Sequence, residues 1–240
     1  MKSFATGISN IFAAVREVPI KDCVHYCAYR YGRDEPNPYE RYAVSLARKV
    51  PVAEIRAAFV DAVSRYRPRN LGEALGAQLS KSYPLWWLPW RTPRQVKQSS
   101  GWVDTPNEVV DIMTHFAEEG VPRGLLENEF HWHESAFLSI RDRGYLPDSY
   151  GYITARELQA ERTSYLLIDG NHRLSSLSAL GSEFVRVKLP RGTRIVRSDA
   201  EKWPLVRAGM MTLDDALSIF DAYQVGNRSP ISTEPAKIAY

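Results

Sequence analysis

Cysteine is almost absent from this chain: 240 residues contain two, Cys23 and Cys27. Two cysteines cannot build a disulfide framework. Their C-x3-C spacing is neither the C-x2-C of a redox pair nor half of a usual zinc knuckle. A reducing, cytoplasmic setting is expected, with both thiols packed as small hydrophobes on one helical face. Long apolar runs are missing too. None reaches the ~18 residues of a membrane span, so no membrane partner is expected. The N-terminal apolar patch has no small-residue cleavage site and does not read as a signal peptide. Its Phe4, Ile8, Ile11 and Phe12 have the spacing of an amphipathic helix docked on the body. Neither sign of charge dominates: 31 Lys and Arg stand against 28 Asp and Glu, a net charge of +3. That lacks the clustered basic footprint of a nucleic-acid binder, and nucleic acid is not expected as a partner. Internal repeats and low-complexity tracts are also absent.

What remains is ordinary globular composition, 44% apolar and 25% charged, on a chain long enough for a full core. The first hundred residues read as helices. "PVAEIRAAFVDAVSRY" opens on Pro51 and sets Val52, Ile55, Phe59, Ala62 and Tyr66 along one stripe. "LGEALGAQLSKSY" is a weaker helix, diluted by Gly72 and Gly76. The proline-framed "PLWWLPW" cannot be an interior helix; it lines a cleft or cements two layers. Residues 91–101 read as a polar, basic linker. Thr105, Pro106 and Glu108 start a helix over Val109, Ile112, Met113 and Phe116, which ends at Gly120 and Pro122.

From residue 123 the pattern changes. "LLENEFHW" is strand-like or irregular, and "SAFLSIRDRG" is a helix ending at Gly144. "GYIT", "SYLLI" and "EFVRVKLP" read as strands, with "TRIVR" a candidate for another. "NHRLSSLSAL" is a helix stopped by Gly181. Trp203-Pro204 reads as a loop packing its indole on the domain. "MTLDDALSIFDAY" is a helix capped by Thr212. The fold class is α+β: a small mixed sheet covered by helices over residues 101–225. Residues 1–100 form an all-helical extension packed on it, and 226–240 a flexible tail.

One turn concentrates polar chemistry. Asp169-Gly170-Asn171-His172-Arg173 lies between an apolar strand and a helix start. A helix N-terminus offers unpaired N–H groups and partial positive charge to an anion. Gly170 lets the backbone approach a ligand, Arg173 carries a donor fork suited to phosphate oxygens, and His172 adds a donor. Asp169 repels phosphate unless it holds a divalent metal or handles a substrate hydroxyl. The plain structural alternative is a strand–turn–helix corner whose polar residues cap or face water. A second cluster is "LLENEFHWHES". If it is extended, Glu127, Glu129, His131 and His133 project to one face; if it is helical, Glu127, His131 and Glu134 do instead. Such a face binds a metal, supplies a general base or is simply solvated. No metal-ligand set follows from the spacing alone. His25 and His115 carry no assigned role.

The order of helix, strand, Asp-Gly-x-His-Arg turn, helix and V-x-V strand resembles the nucleotide-binding domain shared by ParB partitioning proteins, sulfiredoxins and ParB-like small-molecule kinases, including free-serine kinases. The resemblance spans about residues 123–225 and is specific only at the turn. Sulfiredoxins place a catalytic cysteine where this chain has Asn171. Partitioning proteins carry a Glu-Arg-Arg turn where this chain has His172. The kinase branch has Asp-Gly-His-His-Arg, which "DGNHR" departs from at one position. The resemblance implies that Gly170, Asn171, His172 and Arg173 cradle nucleotide phosphates, with Asp169 as a catalytic carboxylate. It also implies Mg²⁺ with ATP or ADP as cofactor, and a small hydroxyl-bearing substrate as partner. Glu129 or Glu127 would be the base on that hydroxyl, with Glu134 a third candidate, and His131 and His133 would need no role. A nucleotide-dependent switch or nucleic-acid-binding adaptor would use the same turn without phosphoryl transfer, and a ParB-like nuclease would need a clearer metal cluster.

Overall fold

The short alternating runs of the second half of the chain form a mixed sheet. The computed structural model describes residues 13–32, 37–65, 68–98 and 123–226. The helices expected near residues 4–12 and 105–120 and the tail from 227 onward therefore lie outside the described residues. The strands are β1 (Ala14–Pro19), β2 (Cys23–Val24), β3 (Ile153–Gln159), β4 (Thr163–Asp169), β5 (Phe184–Leu189) and β6 (Ile195–Val196). They are ordered β1-β5-β3-β4-β2, with β6 also on β3. The β3–β4 hairpin and the β1–β5 pair are antiparallel, while β5 and β6 run parallel to β3 and β2 parallel to β4.

The fold is thus α+β with a small mixed sheet, but the first hundred residues are not all helical. β1 and β2 supply both edges of the sheet. Their sequence hides this for a physical reason. Residues 14–17 of β1 are all solvent-exposed and only Val18 is buried, so the strand has no apolar alternation to read. β2 has two residues, too few for a period. Cys23 and Cys27 accordingly share no helical face, although both are buried free thiols. Burial pushes the Cys23 thiol far above its ordinary range.

The helices are α1 (Pro38–Ala47), α2 (Val52–Arg65), α3 (Leu71–Leu75), α4 (Pro93–Gln98), α5 (Arg123–Arg143), α6 (Pro147–Tyr150), α7 (Asn171–Ala179), α8 (Pro204–Arg207) and α9 (Leu213–Val225). α4 occupies the middle of the expected linker. The larger correction is α5, which absorbs "LLENEFHW" as helix rather than strand. Phe130, His133, Phe137 and Ile140 are all buried, and their spacing of three to four is the helical period. The alternation of Glu127, Glu129, His131 and His133 is incidental to it.

Helices α1 and α5 pack on α7, and α1 also packs on α2 and α5. Between them lies an aromatic layer of Tyr39, Tyr42, Phe59 and Phe130. Leu174 and Leu177 of α7 face the sheet residues Ile153, Leu167 and Val187. A third cluster joins Leu71, Leu75, Leu88 and Val96 to Leu158, Leu166, Trp203 and Phe220. Segments from both halves of the chain therefore share one core. Trp90 meets Trp203 edge-on at 5.7 Å, so the tryptophan segment cements layers, and the Trp203 indole packs on the domain. Among the described residues no helix is long and apolar enough to cross a membrane.

One buried carboxylate ties α9 to the loop after α3. Asp215 accepts bonds from Ser80 N–H at 2.6 Å, Ser80 Oγ at 2.7 Å and Tyr83 Oη at 2.7 Å. Burial pushes its carboxyl up, but these donors together outweigh burial and hold it below the usual carboxylate range. We expect Asp215→Asn to cost about 1.5–3 kcal/mol at pH 7 by urea denaturation, the worth of bonds to a charged group. The unfolded carboxyl titrates near ~3.9 and the folded one lower, so this stabilisation is complete above about pH 4 and fades as the pH falls through the folded value. The gap between wild type and variant should therefore close on acidification; a gap that stays constant to pH 2.5 would show that the charge is not the cause.

Candidate functional site

The turn at 169–173 forms where β4 ends and α7 begins. Gly170 takes a left-handed φ of 101°, and a Cβ there would lie 2.8 Å from Ile153 Cγ1 and 3.2 Å from Arg173 Nη2. Glycine is required both by backbone conformation and by space. The N-cap of α7 is Gly170, which has no side chain to accept from the first-turn N–H groups.

The side chains of the turn divide their work. Arg173 does not point its fork outward. It donates to the carbonyls of Tyr150, Gly151 and Tyr152 and, at 3.0 Å, to Asp169 Oδ2. Asn171 Oδ1 accepts from Tyr31 Oη at 3.1 Å. These bonds brace the turn against α6 and the segment after β2. Asp169 keeps a carboxylate that is 70% exposed. His172 turns the other way, toward α5.

There the three carboxylate candidates separate. Glu134 accepts from Arg56 Nε at 2.9 Å, Arg56 Nη2 at 3.0 Å and Tyr42 Oη at 2.8 Å. Burial raises its pKa, and these donors overcome burial and hold it low. Glu127 is exposed and pairs with Arg56 at 3.7 Å. Only Glu129, 5% exposed, reaches the turn: its Oε1 lies 2.6 Å from His172 Nε2. His131 is on the solvent side, its Nδ1 3.5 Å from Ser135 Oγ.

One turn of helix beyond Glu129 stands His133, which is 1% exposed. Tyr42 stacks on its ring at 4.4 Å and Tyr39 at 5.3 Å, while Phe59 at 5.4 Å and His172 at 4.5 Å meet it edge-on. Among the described residues neither ring nitrogen has a hydrogen-bond partner. Burial drives its pKa well below the ordinary imidazole value, and the neighbouring His172 adds to the effect. The ring is therefore neutral at pH 7. Glu129, His133 and His172 each offer a donor atom, and the three lie within 4.8 Å of one another.

Sequence reading singled out Glu129 and His172 but missed the place of His133 and the aromatic wall from α1. The signal for α1 was present: Asn37-Pro38 is a cap followed by a first-turn proline, and Asn37 Oδ1 does accept from the N–H groups of Tyr39 and Glu40. Two surface clefts lie elsewhere, one of about 580 Å³ along residues 70–82 and one of about 610 Å³ between Gln159–Arg162, Arg197 and Asp221.

If the turn depends on glycine for space as well as conformation, Gly170→Ala should destabilise more than Gly144→Ala. Gly144 has a φ of 78° with nothing near its would-be Cβ. The left-handed penalty alone is about 1–2 kcal/mol, and displacing Ile153 should add about 1 kcal/mol or more. Equal losses in chemical denaturation would mean that Ile153 yields freely.

Comparison with protein-family models, with curated proteins and with solved structures finds no match for this chain in any of the three.

Proposed function

We propose that this chain is a small-molecule phosphotransferase, moving a phosphoryl group from ATP or ADP to the hydroxyl of a small metabolite in the cytoplasm. The observation that carries the reading is the 2.6 Å bond between Glu129 Oε1 and His172 Nε2. It joins a buried carboxylate of one helix to the first turn of another whose N-terminus is uncapped. A phosphate at that N-terminus would meet the N–H groups of the first turn and the positive end of the helix dipole. Gly170 keeps side-chain bulk out of the way. The likeness of "DGNHR" to the turn of ParB-like kinases supports the same assignment.

The division of labour follows from the side chains. Glu129, held by His172, is placed to take the proton of the acceptor hydroxyl as its oxygen bonds to phosphorus and the nucleotide's bridging oxygen leaves. Arg173 and Asn171 keep the turn in shape rather than binding phosphate directly. Mg²⁺ requires oxygen donors, and the exposed Asp169 carboxylate fits that requirement beside the turn. When bound with the nucleotide, the ion would neutralise phosphate charge. Glu129, His133 and His172 do not fit Mg²⁺, because two of their three donors are imidazoles.

The test is to incubate the chain with Mg²⁺, ATP or ADP and a panel of hydroxy amino acids and polyols, and to look for phosphorylated product by mass spectrometry. Glu129→Gln should slow transfer by ~10²–10⁴-fold while changing nucleotide affinity little. Asp169→Asn should abolish turnover and keep nucleotide binding. Nucleotide binding with no transfer would support a switch instead, and no nucleotide binding by calorimetry at millimolar concentration would sink the reading.

A further inference from the structure

We propose that Glu129, His133 and His172 form a binding site for a late first-row divalent metal ion, zinc being the best-fitting member of the class. The inference shares Glu129 and His172 with the phosphotransferase reading but does not rest on it: an ion held by Glu129 would take that carboxylate from the role of base, and the experiment below reads metal binding separately from transfer.

Three observations carry it. The first is composition: two imidazoles and one carboxylate are a donor set for zinc, iron, cobalt or nickel rather than for magnesium or calcium. The second is proximity, since all three donor atoms lie within 4.8 Å of one another. Bonds of about 2.0–2.1 Å in a tetrahedron set neighbouring ligand atoms about 3.3 Å apart. The 2.6 Å Glu129–His172 bond would open slightly and the wider gaps close, movements within reach of side-chain rotation. The third observation is independent of the cluster's make-up. His133 is 1% exposed, yet among the described residues neither of its ring nitrogens has a hydrogen-bond partner. Leaving a buried polar atom unpaired is costly, and two on one ring in an aromatic layer need a reason. A metal ion supplies it. Stacking of Tyr39 and Tyr42 holds the ring, which fixes a ligand before the ion arrives.

The donor set also leaves room for exogenous chemistry. Three protein ligands are one short of a closed zinc site. The side chain of His172 is 23% exposed, against 7% for Glu129, so the open position lies on the solvent edge beside the turn. A water or hydroxyl bound there would give up its proton more readily than in bulk solvent.

The experiment uses the full chain, freed of metal with a chelator and dialysed. Titration with Zn²⁺ by calorimetry should show one equivalent, undisturbed by millimolar Mg²⁺, and Zn²⁺ should raise the thermal midpoint. Co²⁺ should give the visible absorption of a low-coordinate site. His133→Phe keeps the ring and its stacking but cannot ligate. It should fold at least as stably as metal-free wild type and bind Zn²⁺ roughly a hundredfold more weakly or worse. Glu129→Gln should bind Zn²⁺ more weakly and shift the Co²⁺ spectrum. The proposal is overturned if wild type takes up no stoichiometric Zn²⁺, or if wild type and His133→Phe bind it equally. Phosphoryl transfer has no part in this readout. A chain that binds zinc and transfers nothing keeps the metal site and overturns the function proposed above; transfer without zinc binding does the reverse.

Discussion

The site depends on α7 being enclosed by two kinds of surface at once. Its Leu174 and Leu177 lie against the sheet, while α1 and α5 cover its other side. A helix buried on both sides would usually be apolar all round. This one instead turns serines inward: Ser175, Ser176 and Ser178 are all buried. Small side chains permit close approach of the covering helices, and two of the three hydroxyls find partners, while Ser175 Oγ has none among the described residues. Ser176 donates to the carbonyl of His172 at 2.7 Å, and Ser178 donates to Glu40 of α1. Glu40 also accepts from the Gly32 N–H at 2.8 Å. The first turn of α7 is thereby pinned from within, and α1 is tied to α7 by a buried carboxylate.

The same rule governs the rest of this layer. Each buried or half-buried carboxylate has donors around it: Glu40 has Gly32 and Ser178, Glu134 has Arg56 and Tyr42, Glu129 has His172, and Asp215 has Ser80 and Tyr83. Burying a charge is tolerable only on those terms. Among the described residues His133 has two nitrogens without partners in a wall of tyrosine and phenylalanine, and Ser175 Oγ, Trp86 Nε1 and Trp90 Nε1 are also without partners. Departures of this kind concentrate where a fold is built to receive something. The His133 ring sits 4.5 Å from that of His172, so the buried cluster and the exposed helix start are neighbours.

The exposed turn and the buried cluster also differ in what they ask of solvent. Asp169 and the first-turn N–H groups lie at the surface, where a nucleotide phosphate would remain partly hydrated and metal ions arrive with it. Glu129 and His133 lie behind His172, where water is largely excluded and a hydrogen bond or a metal–ligand bond gains strength from the lower dielectric. His172 is the residue common to both, its side chain 23% exposed and hydrogen-bonded to Glu129.

Much of this was written locally. The Asp-Gly turn, the strand before it, the helix after it, the Asn37 and Thr212 caps and the Ile55–Phe59 part of the α2 stripe follow from short-range rules of spacing and capping, whereas Val52 of that stripe is exposed and Val63 is buried in its place. Those rules act within one or two turns of chain, so the sequence by itself determined them. It did not determine the sheet edges. β1 is nearly all exposed and β2 is two residues long, so their strand state exists only because β5 and β4 offer backbone partners. It did not distinguish among Glu127, Glu129 and Glu134 either. All three lie within eight residues of each other, and which one meets His172 depends on the rotation of α5, set by burying Phe130, Phe137 and Ile140. The meaning of His133 was least visible. In the sequence it stood on a face that binds a metal, supplies a base or is simply solvated, and only the packing of α1, α2 and α7 around it buried the ring and left its nitrogens without partners among the described residues.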